Sequence, residues 1–393
     1  MKKRVLFYEL VKHIYHKNAL LITGMRQVGK TTLMRQIFDE VNEPKLWFDF
    51  DNPLDQKTFE DIDYKVIYKR IVGMSSKKGR ISVFIDEIQN FPEVTQVIKY
   101  LIDHYGVKFY LTGSSSFYLK NLFPESLSGR KFLYELSPLS FQEYLYFNDA
   151  LELEEVKKTS LQNAYSNSNI FNHKARQTEY DEFIEFGGFP EVVTTKDKDT
   201  KMMTLKNIFK SFFEKDLKIL SDYADIRELR DFILLLVPRV GSMLDITRLS
   251  SELGVDRVKI YQFLEFLQGT YLIRLIPKFS KSIDRAVAGG KKVYFTDTGL
   301  LNVIGKIGEG SLFENAVVNQ LKGYGEVSFY NKRNTAEIDA ILDKYTAFEI
   351  KLTGTKQDLE KLSFLSNKLN IKQCYVISKK FQDEDGFLSP AIL

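Results

Sequence analysis

Gly24-Met25-Arg26-Gln27-Val28-Gly29-Lys30-Thr31 satisfies the phosphate-loop pattern G-x-x-x-x-G-K-[ST] at every fixed position, and the apolar run Ala19-Leu20-Leu21-Ile22 leads straight into it. A strand that turns through glycines into a helix belongs to an α/β sheet. The glycines permit the tight turn that aims backbone N–H groups at phosphates. Lys30 reaches the β and γ phosphates, and the Thr31 hydroxyl ligates Mg²⁺. Thr32 to Phe38 reads as the helix whose N-terminal dipole favours the anion. The expected contacts to ATP are therefore Gly24, Arg26, Gln27, Val28, Gly29, Lys30, Thr31 and Thr32.

Strand-like runs near 19–23, 46–50, 81–86 and 108–112 alternate with helical patterns, which predicts a parallel sheet. The third run ends in Asp86-Glu87. Asp86 is expected to hold Mg²⁺, and Glu87 to orient and polarise the attacking water. This carboxylate pair favours hydrolysis over phosphoryl transfer to an acceptor hydroxyl. The fourth run ends in Gly113-Ser114-Ser115-Ser116, at the sheet edge where ligands collect, with Ser114 the candidate γ-phosphate sensor or, equally, a helix cap. Arg130, closing Leu127-Ser128-Gly129-Arg130, is the candidate to stabilise transition-state charge, in cis or across a subunit interface.

The 393 residues suggest several domains, divided at 1–147, 148–200, 201–292 and 293–393. The polar stretch 148–176 reads as an insertion or linker ahead of a helix near 178–186. A lone cysteine, Cys374, cannot form an internal disulfide and suits a reducing cytoplasm. Lys12, His13 and Glu9 interrupt any secretory apolar core near the N-terminus, and Phe232 to Val237 falls far short of a membrane span of roughly 20 residues. A cytoplasmic protein without membrane association is expected.

Net charge is +4, but residues 201–300 hold 17 Lys/Arg against 12 Asp/Glu, so the basic excess is local. Here Asp245 to Asp256 reads as helix, glycine turn and capped second helix, the latter running from about Arg257 to Gln268 and followed by a strand at Tyr271 to Ile276. That order predicts a winged helix-turn-helix, with Arg257, Lys259 and Gln262 on the recognition helix. Arg274, Lys278, Lys281, Arg285, Lys291 and Lys292 add a basic stretch suited to DNA phosphates. Such folds also contact proteins or cover nucleotides.

From about 310 the order is helix, three strands, helix, strand. Residues two apart on a strand share a face, so Glu349 and Lys351 point together and Asp339 on the neighbouring strand can approach them. This Asp, Glu-x-Lys set, with Glu314 as a fourth member, suits a nuclease in which carboxylates hold Mg²⁺ or Mn²⁺ and the lysine orients water. Solvated cross-strand pairs produce the same pattern.

The phosphate loop, Asp86-Glu87, Leu111-Thr112-Gly113-Ser114-Ser115, Ser128-Gly129-Arg130, Leu136 to Phe141, Gly187-Gly188-Phe189-Pro190, Lys291 to Leu300 and Glu314-Asn315 follow one order. In this the chain resembles prokaryotic predicted ATPases of the AAA superfamily that carry a C-terminal domain of unknown function. The resemblance, over about 15–352, implies an AAA-type core, a winged-helix middle and a restriction-endonuclease-like end. It places Arg130 as a finger by position alone and leaves Arg227, Arg230 and Arg239 open as second sensors. Two functions compete: an ATPase acting on DNA, and a nucleotide switch whose C-terminal part only binds a partner, with homo-oligomers compatible with both.

Overall fold

Two buried strand faces need two covering layers, and that requirement organises the first part of the chain. In the computed structural model, residues 1–75, 79–114, 127, 129–157, 160–216, 223–280, 289–332 and 336–393 are described. Ser115, Ser116, Ser128, Lys281 and Arg285 lie outside them. Packing divides the chain into two units, Met1–Ser137 with Gly269–Tyr271, and Pro138–Gln268 with Leu272–Leu393.

In the first unit β1 (Ala19–Thr23), β2 (Lys45–Asp49), β3 (Ser82–Asp86), β4 (Lys108–Gly113) and β5 (Lys131–Glu135) form a parallel sheet in the order β2-β3-β4-β1-β5. Strand β5 was not anticipated, because its Lys131-Phe132-Leu133-Tyr134-Glu135 run is half exposed at the sheet edge. Helix α1 (Lys30–Glu40) follows β1 and buries Leu33, Met34 and Ile37, while α2 (Val94–Tyr105) buries Val94, Val97, Ile98 and Leu101. Alternation along β3 serves both layers. Val83 and Ile85 enter the apolar cluster with α2, whereas Phe84 stacks on Tyr110 with ring centres 4.1 Å apart.

The second unit begins with helices where a linker was expected. Leu153–Lys157 and Leu161–Ser166 are helical, and α3 runs from Ile170 to Phe186. Two polar residues of that stretch are N-caps: Ser160 accepts from Asn163 N–H, and Asn169 from Asn172 N–H. After further helices at Pro190–Thr194 and Lys198–Ser211 come α4 (Tyr223–Leu236), α5 (Ile246–Leu253), α6 (Arg257–Gly269) and an antiparallel hairpin of β6 (Ile273–Pro277) and β7 (Lys291–Phe295). Asp245 caps α5, and Gly254 ends it in the left-handed region at φ 72°.

After α7 (Thr298–Ile304) and α8 (Glu309–Lys322), β8 (Val327–Asn331), β9 (Glu337–Leu342) and β10 (Thr346–Lys351) pair antiparallel. Helix α9 (Lys356–Leu369) then returns the chain to β11 (Gln373–Ser378), parallel to β10, with β12 (Phe387–Leu388) at the edge. The expected boundaries at 200 and 292 both fall within the second unit. The first division falls after Ser137 instead of 147, and β7 spans 292. Among the described residues no helix is long and apolar enough to cross a membrane.

Candidate functional site

At the C-terminal edge of the first sheet, β1 runs into the phosphate loop. Gly24 has φ 147° and Gly29 φ 97°, conformations that side chains resist. Gly29 caps α1 without a side chain in the way. The first N–H groups of the helix thus border the loop, the arrangement that binds phosphate. Lys30 is buried, and its Nζ donates to the Gly24 carbonyl at 3.0 Å and the Met25 carbonyl at 2.8 Å. Met25 and Val28 are buried beneath the loop, whereas Gln27 is exposed at φ 62°.

Beside the loop, Asp86 ends β3. Burial raises its carboxyl above the usual range, opposed by hydrogen bonds from Thr112 and Thr31. Asp86 and Thr31 are thereby brought together, and a buried carboxylate with a hydroxyl is a donor set that suits a hard cation such as Mg²⁺. Thr112 organises both acids: its hydroxyl donates to Asp86 and accepts the Glu87 N–H at 3.1 Å. Glu87 sits in the left-handed region at φ 53°. Ser114 is buried at the end of β4, the strand between β3 and β1, and its Oγ accepts from Gln89 at 3.1 Å. Sequence reasoning missed Thr112 and Gln89 as site members, although Thr112 stands level with Asp86 and Gln89 follows the acid pair by two residues.

Arg130 lies elsewhere. Parallel pairing aligns Ala19 with Lys131, so Arg130 precedes the start of β5, a full strand from the loop. Five residues of strand place it roughly 16 Å away. It is paired with Asp103 at 2.7 Å. Arg130 therefore does not reach the phosphates of its own chain, which corrects the expectation of a role in cis.

In the second unit Asp339, Glu349 and Lys351 do come together. Lys351 Nζ lies 2.6 Å from Glu349 and 3.7 Å from Asp339, whose Oδ2 also accepts the Ile350 N–H at 2.8 Å. Burial, then the Asp339 charge, pushes the Glu349 carboxyl up to about 7. Burial alone would depress Lys351, but the Asp339 and Glu349 charges overcome it and hold its ammonium above the usual range. Glu314 accepts from the Tyr294 hydroxyl at 2.7 Å and faces Lys292 at 3.6 Å. Lys292, expected among the DNA-facing cations, is instead buried, with Glu337 at 2.8 Å. Lys259 is likewise occupied, by Asp225 and Glu228, while Arg257, Tyr261 and Gln262 are exposed on α6. Among the described residues no group of three or more His, Cys, Asp or Glu is arranged to hold a metal ion.

Residues 16–145 match the family described as an AAA domain. The first unit, which holds most of that match, is thus similar to an AAA domain. Beyond this AAA domain, residues 177–310 and 309–386 match two families described only as domains of unknown function. The uncharacterized protein MJ1544 of Methanocaldococcus jannaschii is 29% identical over 82% of this chain and 71% of its own length. An uncharacterized protein of Haemophilus influenzae is 25% identical over 93% of this chain and 90% of its own. Among solved structures, the Walker-type ATPase PABY2304 of Pyrococcus abyssi is similar, with a TM-score of 0.47 at 14% identity over 76% of this chain and 94% of that one.

Proposed function

We propose that the AAA-type domain hydrolyses ATP. The observation that carries this reading is the Thr112 hydroxyl, which ties Asp86 to the backbone of Glu87 beside the phosphate loop. Lys30, Thr31 and the N-terminus of α1 hold the triphosphate; Thr31 and Asp86 hold Mg²⁺, which when bound supplies positive charge against the phosphates. Glu87 orients the attacking water, and Ser114 senses the γ-phosphate. Phosphate release from ATP and its loss in Lys30→Ala test the reading; release that persists in Lys30→Ala overturns it.

DNA is the partner we infer. The order α4, α5, α6, β6, β7, with isolated bridges from Val240 and Met243 to β7, supports a winged-helix reading, and α6 presents Arg257, Tyr261 and Gln262. Binding to duplex DNA should weaken steeply as salt rises. Salt-insensitive binding, or turnover stimulated only by a protein, favours the switch instead.

A second reading, metal-dependent phosphodiester cleavage, is favoured by the convergence of Asp339 and Glu349 on Lys351. The strand order around them supports a restriction-endonuclease-like fold. Two adjacent carboxylates are chemically fit for Mg²⁺ or Mn²⁺, with Lys351 offsetting charge on the scissile phosphate. Cleavage of linear, branched or single-stranded DNA by wild type but not by Glu349→Ala tests it; equal cleavage by both rejects this site.

A further inference from the structure

Gln89 lies on the single 3-10 turn Ile88–Asn90 that follows the two acids, and its carboxamide is fully engaged. Nε2 donates to Glu87 Oε2 and, at 3.1 Å, to Ser114 Oγ; Oε1 accepts the Ser114 N–H at 3.3 Å. A backbone N–H only donates, so it fixes which end of the amide is oxygen. Rotating the amide by half a turn would set two donors against each other at Ser114 and two acceptors against each other at Glu87. The orientation is therefore determined by the fold.

We propose that Gln89 is a positioning residue for ATP hydrolysis, setting the direction of the hydrogen bonds made by the water-orienting Glu87 and the phosphate-facing Ser114. This rests on the hydrolytic reading above. Because Nε2 supplies a proton to Ser114 Oγ, the serine keeps its own proton to donate toward a γ-phosphate. Because Nε2 also holds Glu87 Oε2, the second carboxylate oxygen is left to accept from water. One amide thus links the group that detects the third phosphate to the group that orients the nucleophile, and it does so across the two adjacent strands β3 and β4.

The test is Gln89→Glu, which keeps the shape and removes the donor, compared with Gln89→Met, which removes the donor without adding charge. Steady-state ATP turnover and equilibrium binding of a fluorescent ATP analogue are measured for each, together with Ser114→Ala and the double variant Gln89→Glu/Ser114→Ala. The expected result is kcat reduced about 10- to 100-fold in both Gln89 variants, with analogue affinity within about 3-fold of wild type. The double variant should fall little below the worse single one, as for residues acting as a unit. Wild-type kcat in Gln89→Met, a loss confined to nucleotide affinity, or fully multiplicative losses in the double variant would each overturn the proposal. If Gln89→Glu does not fold, Gln89→Met decides alone. Absence of Lys30-dependent turnover in wild type is a separate result that removes the hydrolytic reading and this inference with it.

Discussion

A Cβ on Gly24 would lie 2.1 Å from the carbonyl oxygen of Leu136. Leu136 cannot retreat freely, since its N–H donates to the Thr23 carbonyl at 2.7 Å and so ties the chain after β5 to the end of β1. The phosphate loop is therefore backed by main chain. Gly24→Ala adds a clash to an unfavourable φ and should weaken ATP binding by more than about 10-fold, a loss of over ~1.4 kcal/mol. Isothermal titration with Mg-ATP checks this, and near-normal affinity would show that the loop reshapes at little cost.

Thr112→Val preserves shape but removes both hydrogen bonds of the hydroxyl, leaving a buried Asp86 oxygen and the Glu87 N–H without it. We expect a loss of roughly 1–3 kcal/mol in urea unfolding and a larger relative fall in kcat than in nucleotide affinity. Thr112→Ser should recover most of both. A valine variant as active as wild type would show that Thr112 does not organise the acids.

The acidic cluster of the second unit predicts a pH dependence. Glu349 is pushed from an ordinary 4.5 to about 7, chiefly by burial. The folded state therefore binds more protons than the unfolded state between those values, so stability is greater at the acid end and falls as pH rises through the window. Glu314, also raised chiefly by burial, acts in the same sense. The contribution from Glu349 should be on the order of 1–3 kcal/mol. Urea midpoints at pH 5 and pH 8 should differ less in Glu349→Gln than in wild type; identical differences would contradict the assignment.

Arg130 provides a test between chains. Its distance from the phosphate loop predicts that Arg130→Ala leaves ATP affinity within about 2-fold of wild type, a change under ~0.5 kcal/mol. If Arg130 serves a neighbouring copy, mixing Arg130→Ala with Lys30→Ala should restore turnover, since each supplies what the other lacks. No restoration in a mixture shown to co-assemble would remove the role in trans as well.

Much of the nucleotide site was legible because its residues are consecutive: one pattern marks residues 24–31, and a second marks the end of β3. Thr112 and Gln89 were not read as part of it because their roles arise from pairing between strands and from the fold of a turn, which the order of residues alone does not reveal. The Asp339, Glu349 and Lys351 grouping followed from strand alternation, yet the same alternation gave no sign that Lys292 would be buried against Glu337. Burial also decided the case of Lys259, whose place on α6 was foreseen but whose two acidic partners come from α4. Helices at 153–166 were hidden by polar composition, which marks caps and loops alike.

Asp297, buried, accepts the Gly188 N–H at 2.7 Å and caps α7 through Leu300, leaving no room for a side chain at Gly187; Gly188 is pressed against Leu139 and Gly299 against Phe186 in the same way. Segments around 139, 187 and 297 are thus fitted to one another as closely as neighbours in sequence. A gene that exchanged its last 190 residues for those of a distant relative would break this fit unless the earlier segments travelled with them. For inheritance and for chimera construction alike, the indivisible cassette begins near Pro138, long before strands β8 to β12.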